Sequence, residues 1–123
     1  MKTELMPGTT SQQRQAVLDF ARQLRVAKGD RVVKVLLIGS VARGDFGADS
    51  DIDVAVVARS VDTSFKWDVW GIGAQVSLAQ GVVLNVHIYS EARWTQMQQS
   101  QNALWRNIER DGIDLTPAAA PAA

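Results

Sequence analysis

Four residues of this 123-residue chain have types and spacing suited to chemistry: Gly39 and Ser40, then, after ten residues, Asp51 and Asp53. The stretch "RVVKVLLIGS" is apolar and β-branched and ends on the Gly-Ser pair; "DIDVAVVA" opens a second strand with two carboxylates. Side chains alternate along a strand, so Asp51 and Asp53 share one face while Ile52, Val54 and Val56 point into the core. Two carboxylates held that close repel each other unless something positive lies between them, and an oxygen-preferring Mg²⁺ or Mn²⁺ is the natural counter-ion. A glycine at a strand end lets backbone approach a ligand, and free N–H groups of the following short helix suit an anion. Ser40 adds a hydroxyl. The chemistry this predicts is in-line phosphoryl or nucleotidyl transfer, which depends mostly on positioning and charge neutralisation.

Composition narrows the alternatives. The chain has no cysteine, which removes disulfides, thiolate catalysis and Cys-type zinc or iron–sulfur sites. Its single histidine, His87, excludes a multi-histidine zinc site. Thirteen basic and thirteen acidic residues cancel, so no global field draws it toward nucleic acid. The first residues lack the apolar core of a signal peptide, and no run approaches the roughly 20 apolar residues of a membrane span. The expected compartment is the cytoplasm.

The elements that must position these residues read as helix–strand–turn–strand–helix–strand–helix. A helix runs from a Thr10 or Ser11 cap to Lys28, with Val17, Phe20, Ala21 and Leu24 on its apolar face and Gly29 as its stop. Residues 41–50 allow one helical turn and a loop. Residues 62–80 form a helix capped by Asp62, with Phe65, Val69, Ile72, Val76 and Ala79 inward. Trp67 and Trp70 lie off that stripe and suggest a partner surface. The third strand, "GVVLNVHIYS", sets Asn85, His87 and Tyr89 against Leu84, Val86 and Ile88. One last helix from Ser90 to near Gly112 carries Trp94, Met97, Leu104, Trp105 and Ile108 inward. The fold class is α/β (α+β), a small mixed sheet flanked by helices; the ten-residue link makes the first two strands antiparallel. Residues 1–10 are expected as a flexible leader, 11–115 as one domain and 116–123 as a disordered Ala/Pro tail.

The Gly39-Ser40 pair, ten residues, then Asp51-Ile52-Asp53 resembles the GSx₁₀DxD signature of the DNA polymerase β-like nucleotidyltransferase superfamily, and "GSVARG…SDIDVAVV" is similar to its minimal nucleotidyltransferase (MNT) branch over residues 14–112. The resemblance implies that Gly39 and Ser40 contact nucleotide phosphates and that Asp51 and Asp53 ligate the divalent metal. It implies transfer of a nucleoside monophosphate, AMP from ATP, onto a macromolecular hydroxyl. It further implies a helical HEPN-type protein as partner, with this chain as antitoxin or accessory subunit; a homo-oligomer is also open. Active relatives place a third carboxylate on the third strand, where this chain has Asn85 with His87 next on the same face. Asparagine brings no charge and cannot act as a base, whereas His87 could ligate metal, accept a proton, or be a half-buried structural residue. Glu91 could reach back to the site or serve its own helix N-terminus. Arg43 either clamps a phosphate or pairs with Asp45 or Asp49. The rival reading is a catalytically degenerate nucleotidyltransferase-fold module that acts by binding a partner protein.

Overall fold

The computed structural model describes residues 10–43, 47 and 50–116, and of Ser40 and Arg43 the backbone alone. Helix α1 spans Ser11–Lys28 and starts in a capping box: Gln13 N donates to Thr10 Oγ1 at 3.0 Å and Thr10 N donates to Gln13 Oε1 at 2.9 Å. It stops at Gly29, whose φ of 55° an L side chain rarely adopts. A 3₁₀ turn, Gly29–Arg31, leads into β1, Val32–Ile38. Helix α2 is one turn, Gly39–Arg43, and β2 follows at Ile52–Ala58. Helix α3 spans Thr63–Gln80, β3 Leu84–Ser90, α4 Glu91–Ser100, α5 Ala103–Asp111 and β4 Ile113–Asp114.

The sheet order is β3-β2-β1-β4. β1 and β2 are antiparallel, as the short link requires, with Ile38 opposite Asp53. β3 lies parallel to β2, with Asp53 opposite Asn85 and Ala55 opposite His87; such a pair needs a long crossover, which α3 supplies. One sheet face carries Val35, Leu37, Ile52, Val54 and Val56 against α1 and α3, with Phe20, Leu24, Phe65 and Val69 fully covered. The other face carries Leu36, Ile38, Ala55 and Val57 against Trp94 and Met97 of α4 and Trp105 and Ile108 of α5. Asp51 and Asp53 share this second face, at the N-terminal end of β2.

Several expectations are corrected. The final helix is two helices: Gln101 turns left-handed at φ 52°, and Asn102 caps α5 by accepting from Trp105 N at 2.8 Å. Trp94 and Trp105 stand eleven residues apart, about three helical turns, so their phase hides the break. Leu104, expected inward, is 46% exposed. In α3 the inward stripe ends differently, with Gly73 buried and Ala79 exposed; a Cβ on Gly73 would meet Val86 Cγ2 at 3.0 Å, so the glycine lets α3 settle onto β3. β4 was not anticipated, being two residues long. Thr116, grouped by composition with the tail, accepts from Val35 N through Oγ1 at 3.1 Å. Residues 1–9 and 117–123 lie outside the described residues. No helix among the described residues is long and apolar enough to cross a membrane.

Candidate active site

The site begins where β1 ends. Gly39 takes φ 74°, and a Cβ built on it would lie 2.6 Å from Asp53 Oδ2. Only glycine fits there, so the backbone turn and the carboxylate occupy one another's space. Asp51 stands just ahead of β2 and Asp53 within it. From β3, His87 Nε2 lies 3.1 Å from Asp53 Oδ1, and Asn85 Nδ2 donates to Asp51 Oδ2 over a long 3.4 Å. Each aspartate thus faces one polar side chain of the neighbouring strand. The Asp53 and His87 side chains are 31% and 46% exposed, open enough to meet a ligand.

A cavity of about 320 Å³ opens onto this cluster. Its floor is Ile38, Gly39, Asp53, His87 and Tyr89; its wall is Leu104, Asn107, Ile108 and Asp111 of α5, with Gly112. Burial raises the Tyr89 pKa above its ordinary value, partly offset by the Arg93 charge, so the phenol stays protonated at neutral pH. Asp111 binds Arg110 Nη2 at 2.9 Å.

Of the expected site residues, Gly39, Asp51, Asp53, Asn85 and His87 converge at one end of the sheet. Ser40 and Arg43 follow Gly39 on α2; their side chains, like Asp45 and Asp49, lie outside the described residues. Glu91 does not reach back: it follows Ser90, which pairs with Ala58 at the opposite end of β2 from Asp53. It occupies the first turn of α4, where its charge favours the helix N-terminus.

Asp51 and Asp53 offer hard oxygen donors on one face, which suits one divalent cation with water completing its shell. Among the described residues no group of three or more His, Cys, Asp or Glu is placed to hold a metal. Among the described residues, these two aspartates therefore have no third carboxylate grouped with them, as a two-metal site would need.

A family model described as the nucleotidyltransferase domain matches residues 16–110. The chain belongs to the nucleotidyltransferase domain family. Two relatives from Methanocaldococcus jannaschii each bear the name "putative protein adenylyltransferase". MJ0604 is 36% identical over 76 residues, 62% of this chain and 72% of its own length. MJ0141 is 28% identical over 76 residues, 61% and 77% respectively. A solved toxin–antitoxin structure with AMP-PNP shares the fold at 18% identity and a TM-score of 0.54, over 80% of this chain and 71% of the other. The Gly39-to-Asp53 contact therefore sits within a nucleotidyltransferase domain.

Sequence reasoning missed two contributors. Gln13 is 1% exposed, and its Nε2 donates to Gly47 O at 3.2 Å, tying α1 to the loop between the two halves of the motif. Its only sequence signal is its place three residues after the Thr10 cap. The α5 wall, Leu104 and Asn107, became visible only when the last helix divided.

Proposed function

We propose that this nucleotidyltransferase domain moves AMP from ATP onto a macromolecular hydroxyl, as the antitoxin or accessory subunit beside a helical HEPN-type protein. The observation that carries the reading is the Gly39–Asp53 contact, which joins the phosphate-facing turn to the metal-facing carboxylate. The relatives named for protein adenylyl transfer support AMP and a protein acceptor. The fold shared with a toxin–antitoxin bound to AMP-PNP supports the nucleotide and the paired partner.

In this reading Gly39 and Ser40 receive the phosphates and Asp51 and Asp53 hold the divalent cation, Mg²⁺ or Mn²⁺. Such a cation, when bound, neutralises phosphate charge. The acceptor oxygen forms a bond to Pα, the bond from Pα to the bridging oxygen breaks, and pyrophosphate leaves. With Nε2–H donated to Asp53 Oδ1, His87 keeps Nδ1 free to take the hydroxyl proton. Arg43, one turn beyond Gly39, is assigned to phosphate.

A second reading rests on Asn85, a neutral residue paired with Asp53 where active relatives carry an acid. It makes the chain a nucleotide-binding module that acts by covering its partner. Calorimetric titration with ATP, with and without Mg²⁺, tests both readings. Saturable Mg²⁺-dependent binding that disappears in Asp53→Asn is expected. Transfer of labelled AMP to a co-purified partner supports the enzyme, whereas binding without transfer to that partner supports the module. No binding at millimolar ATP by the chain together with its partner rejects the nucleotide site.

A further inference from the structure

Helix α3 carries a second apolar face. Phe65, Val69, Gly73 and Val76 turn toward the core, while Trp67, Gly71, Ala74 and Leu78 point the opposite way, and all four are exposed. Trp67 keeps 67% and Leu78 87% of its surface open. Trp70, 41% exposed, packs edge-on to Trp67 at 5.7 Å. From Trp70 to Gln80 no residue carries a charge, and Asp68 at the flank is paired with Lys28 at 2.6 Å. A helix with apolar residues on two opposite faces is normally covered on both.

Gly71 adds an independent observation. Among the described residues nothing lies within 4 Å of a Cβ built there, and its φ is not left-handed. Gly73, two residues on, is needed for contact with β3; Gly71 answers no such need, although glycine weakens a helix interior. A backbone approaching from outside explains it.

We propose that this face is a self-interface, with the α3 helices of two copies packed antiparallel about a two-fold axis. The exposed stripe is spaced four, three and four residues apart, and it reads large–small–small–large in both directions. An antiparallel pair centred between Gly71 and Ala74 sets Trp67 against Leu78 of the second copy and Gly71 against its Ala74. This is the self-complementarity that an isologous contact demands and that a heterologous partner has no reason to impose. The spacing is a two-heptad seam suited to shallow helix crossing, and the small central residues allow axes about 8 Å apart. Covering the seam and its flanks on both copies buries roughly 1,200 Å², the lower end for stable specific interfaces. The candidate active site lies on the opposite sheet face and remains open in such a dimer.

Sedimentation velocity of the full chain at about 50 µM, where a micromolar dimer is well populated, is expected to give the mass of two chains. Leu78→Glu and Ala74→Arg should each raise the dissociation constant about tenfold or more while leaving the far-UV circular dichroism unchanged. The chain has no cysteine, so Gly71→Cys and Ala74→Cys proteins give a second readout. Mixed and oxidised, they should cross-link to each other more than either does alone. A monomer overturns the proposal, as does a dimer untouched by both charged substitutions or stronger cross-linking in the unmixed samples. A monomer whose α3 face instead binds a different protein also overturns it, in favour of a heterologous helix.

Discussion

At Gly39 two requirements meet in one residue: a left-handed backbone and room for the Asp53 carboxylate. Gly39→Ala should therefore cost about 1–2 kcal/mol of stability from the backbone alone. It should also weaken Mg²⁺-dependent ATP binding about tenfold or more, since Asp53 must move; thermal denaturation and calorimetry measure the two separately. Asn85→Asp sets a like charge against Asp51, the carboxylate that the Asn85 amide now meets. The metal-free variant should melt below the natural protein, divalent cation should restore more than the difference, and divalent affinity should rise. A variant whose melting ignores the cation would speak against metal at this cluster. The spacing of Gly39, Asp51 and Asp53 was legible in sequence because strand alternation dictates a shared face. Gln13 was not, because a buried glutamine bonded to the Gly47 carbonyl has no periodic signature.

Elements with strong local signals follow their sequence closely. Thr10, Asp62 and Ser90 each accept from a backbone N–H three residues on, as N-cap residues do. Asp62 also makes a pH prediction. The Phe65 N–H bond chiefly holds its carboxyl below the usual 3.8; desolvation opposes this in part, and the Arg31 guanidinium and Lys28 charge reinforce it. Because the folded pKa is depressed, the cap's contribution is present above 3.8 and disappears as pH falls through the lower folded value. Asp62→Asn keeps a capping oxygen without the charge, so the difference in melting temperature between the two proteins should shrink in acid. Elements that depend on tertiary contact were less legible. The break at Gln101 leaves the phase of Trp94 and Trp105 intact. Gly73 carries no hydrophobic signal, although its missing side chain lets α3 rest on Val86. Gly73→Val should therefore destabilise by about 1–3 kcal/mol through overpacking, measurable by urea denaturation.

At the scale of the whole molecule, the sheet is covered on both faces, and β4 closes the β1 edge with Leu37 opposite Ile113. Ile113 and Leu115 are buried, so truncation after Gly112 should cost about 3–6 kcal/mol. The unpaired β1 edge would then promote self-association, seen as light scattering at low denaturant. A two-residue strand has too little pattern to predict, whereas the antiparallel β1–β2 pair followed from its short link alone. The four tryptophans divide along the same lines. Trp94 of α4 and Trp105 of α5 pack edge-to-face at 4.9 Å in the interior, and Trp67 and Trp70 stand exposed on α3. The protein therefore carries two optical reporters of its own: iodide should quench the α3 pair and spare the interior pair. Emission changes that iodide can reach would report events on α3, and those it cannot reach would report α4 and α5, the helix that walls the candidate site.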